Sequence, residues 1–284
     1  MKKVIAILLI VLTLFSFIPV VTNAATGAEI TSGVPFDSKY YKKTCPKKGT
    51  ITKYFLDGNK NRSVYVWKPY NYNANTKYEV VVLMHGTGDN ASSWLQTKHS
   101  VWGKKINGQN IFDWMAYDNV CKPFIVVTFN SGYNSLFPNN EIIKVMKIAA
   151  QHYNTYLGDG SDESIKANRE HVIVGGLSRG SGNSYQFATE HSEYVGNLIC
   201  MSGSRCLEEL KASLTRSNLK INKLFIACGK NDSKYLKGSK NQFKGLSSEA
   251  YTNSSRLVLY KSMAHDWRTW YAGIYDGLKF IIPR

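Results

Sequence analysis

The sequence predicts an α/β protein with a mostly parallel central sheet, an antiparallel hairpin at one sheet edge, and helices on both faces. Three observations support this fold class. Short apolar runs, typical of strands covered on both faces, alternate with segments of helical spacing. The first two strand-like segments flank Asp57-Gly58, a dipeptide typical of hairpin turns. One apolar run, residues 171–174, ends in a glycine-rich turn that leads directly into a helical segment.

The individual elements follow from the same patterns. The predicted strands are residues 51–55, 62–67, 78–84, 124–129, 171–174, 197–201, 223–228 and 256–260. The predicted helices are residues 141–156, 181–191, 207–214 and 267–280. Loops are predicted at residues 69–76 and 159–168, and a mixture of loop and helix at residues 91–116. No repeat or linker divides the chain, so we predict one domain at residues 49–284, preceded by an irregular lead-in at residues 25–48.

The first 24 residues have the features of a secretory signal peptide. Lys2 and Lys3 precede an apolar run at residues 4–21, and small residues near Ala24 offer a cleavage site. A membrane anchor is the alternative, because 18 mostly apolar residues nearly span a bilayer. The small-residue site and the lack of a basic stop signal favour cleavage. We therefore expect an extracellular protein without stable membrane insertion.

Charge and cysteine content narrow the expected partners. The net charge of +16 favours adhesion to acidic surfaces such as anionic polysaccharide. Nucleic acid is not expected, because the lysines are spread along the chain and no nucleic-acid-binding motif is present. Five cysteines leave at least one thiol without a partner in the chain, and Cys200 and Cys228 lie in apolar runs typical of a core. No cysteine–histidine cluster has metal-ligand spacing, so no metal or other cofactor is predicted.

The glycine-rich turn contains the strongest candidate for a nucleophile. Residues 175–180 have the sequence GGLSRG, and a G-x-S-x-G pattern between a strand and a helix is typical of a nucleophile elbow. Gly176 and Gly180 supply the small side chains that a close approach of strand and helix requires. Ser178 is therefore the predicted nucleophile. An ordinary glycine-rich turn is the alternative.

A reactive serine needs a base and an acid that orients the base. Of the six histidines, His265 follows the last predicted strand and so lies at the edge of the sheet where such sites form. Asp232 follows the strand before it, and the order Ser178, Asp232, His265 is that of α/β-hydrolases. Asp266 is a rival acid, but it adjoins His265 and is poorly placed to bond its ring. A turn-forming role is the alternative for Asp232.

Two backbone amides are predicted to form an oxyanion hole. One is the N–H of Arg179, the residue after the nucleophile, and the other is the N–H of Thr87 in the loop that follows an early buried strand. A simple glycine-rich turn is the alternative for the segment HGTG at residues 85–88.

The chain resembles the secreted feruloyl esterases and acetyl xylan esterases of carbohydrate esterase family 1, which are similar to the esterase D type. The matching segments are residues 45–55, 62–73, 83–94, 175–180, 229–232 and 265–280. The resemblance implies an α/β-hydrolase fold, no metal, a triad of Ser178, Asp232 and His265, and plant cell-wall polysaccharide esters as substrates. The chain departs from these relatives at Arg179, where they carry an uncharged residue, and at residues 202–206 (SGSRC), where they often carry Asp and Trp.

Aromatic and basic residues near the predicted site have two interpretations each. Trp94, Trp267 and Trp270 flank the predicted catalytic loops and would stack on a hydroxycinnamoyl ring or a sugar, although core packing is favoured for any single one of them. A group of lysines follows Asp232, and it is predicted to be a solvated loop rather than a site for uronic acids. These residues are Lys230, Lys234, Lys237, Lys240 and Lys244.

These observations predict a secreted serine carboxylester hydrolase that removes feruloyl or acetyl groups from a polysaccharide such as xylan. An acyltransferase that uses the same site is one alternative. A catalytically inactive carbohydrate-binding protein with a hydrolase fold is another, because Arg179 departs from the relatives. The sequence leaves the acyl group and the oligomeric state open.

Overall fold

A computed structural model describes residues 27–130 and 140–284 of the chain. Its strands are β1 (Gly27–Ser32), β2 (Thr50–Phe55), β3 (Ser63–Lys68), β4 (Glu79–Met84), β5 (Lys98–Val101), β6 (Lys104–Asn107), β7 (Phe124–Phe129), β8 (Val172–Leu177), β9 (Asn197–Met201), β10 (Ile221–Gly229) and β11 (Thr252–Tyr260). Its helices are α1 (Lys39–Lys42), α2 (Gln109–Tyr117), α3 (Asn140–His152), α4 (Asp162–Ala167), α5 (Arg179–Glu190), α6 (Leu207–Ser217), α7 (Leu236–Leu246) and α8 (Trp267–Ile281). The predicted signal peptide at residues 1–24 lies outside the described residues.

The predicted sheet is confirmed. Nine strands form one sheet in the order β1-β11-β10-β9-β8-β4-β7-β3-β2, and β5 pairs only with β6. The β2–β3 and β3–β7 pairs are antiparallel, whereas the other pairs in the main sheet are parallel. The hairpin therefore lies at one edge, as predicted, and the carboxyl ends of the parallel strands lie along one rim of the sheet.

Helices cover both faces of the sheet because its central strands are fully buried and almost entirely apolar. In β4, Val80 and Val82 pack on one face with residues of α3, α5 and α6. Val81 and Leu83 pack on the other face with residues of α2 and α8. This alternation buries β4 completely and fixes the register of its neighbours.

Four segments differ from the prediction, and one of them is residues 91–116, where β5 and β6 form an antiparallel pair. Residues 25–48 are not irregular throughout, since β1 pairs in parallel with β11 and α1 adds a single turn. Residues 159–168 contain α4, whose first turn is capped by the Ser161 hydroxyl. The lysine-rich segment after Asp232 forms α7 rather than a loop, because Leu246 is buried and Leu236 and Phe243 pack on the core. β1 and α7 obtain their structure from tertiary contacts that the local sequence does not reveal, whereas α4 begins at a local serine cap.

Among the described residues, no helix combines the length and hydrophobicity that crossing a bilayer would need. All five cysteines fall within this part of the chain, and none of them forms a disulfide.

Candidate active site

Ser178 lies at the sharp turn between β8 and α5. Its backbone has φ 53° and ψ −116°, a left-handed conformation that is uncommon for any residue other than glycine. The turn is held by β9, because the Ser178 amide donates a hydrogen bond to the Met201 carbonyl at 2.8 Å. Such strain persists only where the surroundings determine the backbone, and it is frequent at reactive residues.

Two glycines allow this turn to form. A Cβ atom on Gly176 would lie 2.6 Å from the Met84 carbonyl oxygen, and one on Gly180 would lie 2.8 Å from the His85 carbonyl oxygen. Both distances are shorter than real Cβ contacts, and both neighbours are backbone atoms at the end of β4. The first turn of α5 can therefore pack against β4 only if both positions lack a side chain.

The three residues predicted as a triad meet at the carboxyl ends of the strands. His265 Nε2 lies 3.0 Å from Ser178 Oγ, and His265 Nδ1 lies 2.8 Å from Asp232 Oδ2. A neutral imidazole that donates from Nδ1 to the carboxylate accepts the serine hydroxyl at Nε2. Asp232 is 1% exposed and Ser178 is 9% exposed. The serine, the imidazole and the carboxylate thus form one continuous hydrogen-bonded chain.

Asp232 is held by two further groups. Its Oδ1 accepts the Tyr235 amide at 3.0 Å, and its Oδ2 lies 3.7 Å from the thiol of Cys228. Burial, together with the charge of Asp232, raises the pKa of the Cys228 thiol to about 12, so the thiol stays protonated and donates. The sequence placed Cys228 in the core but gave no sign of this contact.

The rival acid Asp266 does not face the imidazole. Its carboxylate accepts hydrogen bonds from the backbone and the guanidinium of Arg268, at distances from 2.6 to 3.1 Å, and so caps the start of α8. Asp232 is therefore the acid bonded to His265.

The two predicted oxyanion amides belong to the residue after the serine and to the turn that follows β4. Arg179 is the first residue of α5, where backbone N–H groups have no partner inside the helix and carry the positive end of its dipole. Thr87 is exposed in the turn after β4, which is closed by a bond from the Asp89 amide to the Gly86 carbonyl. This turn passes close to the nucleophile, since a Cβ on Gly86 would lie 3.4 Å from Ser178 Cβ. The role of both amides stays a prediction.

The three tryptophans differ in what they can contact. Trp94 is 1% exposed and donates from Nε1 to the Met84 carbonyl, so the predicted substrate contact at Trp94 is corrected to core packing. Trp270 is also buried, and its ring meets the His265 ring edge-on at 5.2 Å. Trp267 is half-buried and stacks on His99. Trp270 therefore packs directly against the imidazole, a contact that the sequence did not predict, and Trp267 packs against Trp270 at 5.3 Å.

Tyr235 is a half-buried site residue that the sequence analysis missed. Its ring stacks on the His265 ring at 4.9 Å, and its amide bonds Asp232. Its position three residues after Asp232 is the only sequence signal that points to it.

The remaining histidines have other surroundings. His85 is buried, with Nδ1 2.8 Å from the Gly86 carbonyl oxygen, and burial lowers its pKa. His171 lies at the opposite end of β8, as predicted, and its Nδ1 is 3.0 Å from Glu79 Oε2. His99 bonds the Ser93 carbonyl beneath Trp267. In the residues that the structure describes, no three His, Cys, Asp or Glu side chains are grouped as a metal site.

Comparison with known proteins identifies the fold. No family model matches the chain. The chain is 30% identical to endo-1,4-beta-xylanase Y of Acetivibrio thermocellus over 198 residues, which is 65% of this chain but 17% of the xylanase. A feruloyl esterase module from Clostridium thermocellum, solved with sinapinate, aligns with a TM-score of 0.75 at 22% identity, covering 91% of this chain and 95% of the module.

A second solved structure supports the same conclusion. The CE1 ferulic acid esterase of Anaeromyces mucronatus, solved with ferulic acid, aligns with a TM-score of 0.61 at 18% identity, covering 86% of this chain and 95% of the esterase. The predicted α/β-hydrolase fold and the predicted resemblance to carbohydrate esterase family 1 are confirmed.

Proposed function

We propose that this chain, which shares the α/β-hydrolase fold of solved feruloyl esterases, is a serine carboxylester hydrolase acting on xylan-type polysaccharide. The observation that carries the proposal is the hydrogen-bonded chain from Ser178 through His265 to Asp232. A serine joined in this way to a base and an orienting acid is equipped for nucleophilic attack on a carbonyl carbon. The similarity to a xylanase over 198 residues supports the substrate class.

The proposed reaction has two halves. Ser178 Oγ bonds to the ester carbonyl carbon while its proton moves to His265 Nε2, and Asp232 stabilises the imidazolium. The amides of Arg179 and Thr87 donate to the oxyanion. Collapse breaks the ester C–O bond, and His265 returns the proton to the departing sugar hydroxyl. Water then attacks the acyl-enzyme with His265 again as the base, which releases the acid and restores Ser178.

We propose a hydroxycinnamoyl group such as feruloyl as the acyl group. Two structures that share this fold were solved with sinapinate and with ferulic acid, which are both hydroxycinnamates. We also propose that the enzyme acts outside the cell. The basic and apolar start of the chain supports export, and the net charge of +16 supports retention on acidic wall polymers.

Replacing the nucleophile tests the proposal. Ser178→Ala should lower kcat on methyl ferulate by roughly 10⁴-fold or more, because no other group can form the acyl-enzyme. A fluorophosphonate probe should label the wild type and not the variant. Ser233→Ala, a change at an exposed serine beside Asp232, is the matched control and should keep both properties.

Two results would contradict the proposal. Labelling or turnover of Ser178→Ala at the wild-type level would remove Ser178 from the reaction, provided that circular dichroism shows the same fold. A wild type that hydrolyses 4-nitrophenyl acetate but leaves methyl ferulate intact would contradict the proposed acyl group alone.

A further inference from the structure

A cavity lies at the amino-terminal edge of the sheet, on the side opposite the triad. It has a volume of about 480 Å³, within the range typical of small-molecule sites. It is bounded by Tyr78, which immediately precedes β4, and by Phe124, the first residue of β7. The nucleophile elbow lies near the other end of β4, roughly 20 Å away at the usual rise per strand residue. No triad residue lines this cavity.

The cavity combines an apolar floor with a polar rim. Trp67 and Phe124 are buried and contribute to the floor. Asn71, Asn73 and Asn119 are exposed and contribute to the rim. Each amide side chain can both donate and accept a hydrogen bond, which is the pairing that a sugar hydroxyl requires.

The rim is held in a fixed shape. The backbone N–H of Asn73 donates to the Tyr78 hydroxyl at 2.9 Å, and the backbone N–H of Asn154 donates to the Tyr72 hydroxyl at 2.9 Å. The rings of Tyr72 and Tyr78 also stack at 4.9 Å. A loop anchored in this way does not have to be ordered when a ligand binds, so less conformational entropy is lost.

Two exposed tyrosines lie next to this rim. Tyr70 is 40% exposed and adjoins Asn71, while Tyr117 is 41% exposed and follows Ala116, which also lines the cavity. Their ring centroids are 6.3 Å apart. They are two of the five most exposed large hydrophobic side chains in the described residues. Tyrosine has an apolar face and a polar tip, so a pair of exposed rings suits a ligand with both apolar and hydroxyl surfaces.

We propose that this cavity and the Tyr70–Tyr117 pair form a second binding site for an oligosaccharide segment of xylan, separate from the catalytic site. The choice of xylan rests on the proposed function, whereas the choice of a carbohydrate rests on the amides and the exposed rings. Lys122 and Arg284 are the charged residues that line the cavity, so an uronic acid on the polymer would meet no carboxylate side chain there. Polymer bound at this edge would leave the opposite rim free for an ester.

Calorimetry with ester-free xylohexaose tests the proposal. In a Ser178→Ala background, Tyr70→Ala/Tyr117→Ala should raise Kd at least tenfold, because both stacking surfaces are lost. Asn119→Asp, which suits the left-handed backbone at φ 53° but removes the amide donors, should raise Kd severalfold. Phe55→Ala is the matched control, since Phe55 is 38% exposed at the other end of the β2–β3 pair. Its Kd should equal that of the parent.

Kinetics of the wild type separate the two sites. Saturating xylohexaose should leave kcat and KM for methyl ferulate unchanged. Competitive inhibition, or equal binding by the parent and the double tyrosine variant, would overturn the second site. A wild type that hydrolyses methyl ferulate but fails to bind xylohexaose would overturn this inference alone. Tyrosine-dependent binding by a chain without esterase activity would instead refute the proposed function and leave the second site standing.

Discussion

Ser178 has a backbone conformation that few residues other than glycine adopt, and its neighbours make that conformation possible. Gly176 and Gly180 contact the end of β4 through backbone atoms alone. The main chain of two strands and a helix therefore fixes the serine backbone, and the hydroxyl then reaches His265 Nε2 at 3.0 Å. A change at either glycine should move the nucleophile even though neither residue touches a substrate.

A pair of glycines in α5 tests this dependence. Gly180→Ala would place a Cβ 2.7 Å from the Met84 carbonyl carbon and 2.8 Å from the His85 carbonyl oxygen. These backbone atoms cannot shift without distorting the end of β4, so we expect a loss of about 1–3 kcal/mol in the free energy of unfolding. We also expect a fall in kcat of about 100-fold from the displaced serine. Urea unfolding and methyl ferulate kinetics measure the two effects.

Gly182→Ala is the control in the same helix. Its Cβ would meet only ordinary contacts, with the Arg205 side chain at 3.6 Å and with the Ser204 carbonyl oxygen at 4.0 Å. Since alanine favours a helix over glycine, this variant should be up to about 1 kcal/mol more stable and fully active. Equal losses in the two variants would show that close packing against β4 is not the cause.

The sequence was sufficient to predict that Ser178, Asp232 and His265 meet, because each follows a recognisable strand and the elbow has its own glycine pattern. The same reasoning could not identify Tyr235 or Cys228, whose contacts depend on where α7 begins and on side-chain orientation. It named Trp94 as a candidate substrate contact while favouring core packing for any single tryptophan, because a local sequence does not show whether an aromatic ring faces solvent or core.

Among the elements, α2 is tied to the β2–β3 hairpin through one buried carboxylate. Asp113 Oδ1 accepts from the Gly49 amide at 2.8 Å, from Trp67 Nε1 at 2.9 Å and from Gln109 Nε2 at 3.2 Å. Burial raises the pKa of Asp113 to about 6 despite these donors. The carboxylate thus joins α2 to β3 and to the residue before β2, and its burial costs desolvation free energy.

This raised pKa predicts how stability depends on pH. In the unfolded chain an aspartate has a pKa near 4, so between about pH 4 and 6 the folded state binds more protons than the unfolded state. The free energy of unfolding should therefore fall as pH rises through this range, by up to about 3 kcal/mol. The difference between wild type and Asp113→Asn isolates this contribution, because the variant cannot titrate. Urea unfolding at pH 4 and pH 8 measures it.

The amide of Asp113→Asn also alters stability, but by an amount that does not vary with pH. The informative quantity is therefore how the difference in the free energy of unfolding between the two proteins changes with pH. A difference that stays constant from pH 4 to pH 8 would mean that Asp113 has the same pKa in both states.

Central elements were predictable and peripheral ones were not. Strands β4, β7 and β9 are apolar except at Glu79, Thr128 and Asn197, because both of their faces are covered. Strand β1 is exposed along most of its length, and α7 packs only a few apolar residues, so neither has a strong periodic pattern. An ion pair between Lys240 and Glu29 at 3.0 Å joins these two elements.

At the scale of the whole molecule, the sheet separates two regions of different chemistry. The triad lies at the carboxyl ends of the parallel strands, and the cavity proposed as a second binding site lies at their amino ends. The cavity is lined by residues 67–78, 115–124 and 284, which are distant in sequence. No local motif marks such a site, so it could be recognised only after the strands were assembled.

The cysteines give a prediction for the whole chain. All five thiols are free, four are buried and Cys206 is partly exposed. Reaction with a disulfide reagent needs an accessible thiolate. Burial raises the pKa of Cys121 and of Cys200 to about 12, so these thiols should react slowly in the native protein. We expect at most one rapidly reacting thiol per native chain and five per chain in guanidinium chloride.

Cys206→Ser tests which thiol reacts first. Burial raises the pKa of Cys206 too, so exposure is what should make it the fastest of the five. The fastest phase should disappear in this variant, while the remaining four thiols still react after unfolding. Fewer than five thiols in the denatured wild type, restored to five by a reductant, would reveal a disulfide that contradicts the structure.

The position of β1 has a consequence for self-association. This short strand pairs along β11 from Gly27 to Ser32, and so it occupies backbone donors and acceptors that would otherwise face solvent. An unpaired strand edge is a template on which other chains can aggregate. A protease that trimmed the chain past Ser32 would leave the candidate catalytic rim in place but uncover six residues of β11, from Ser255 to Tyr260, and the trimmed chain should associate more readily with its own copies.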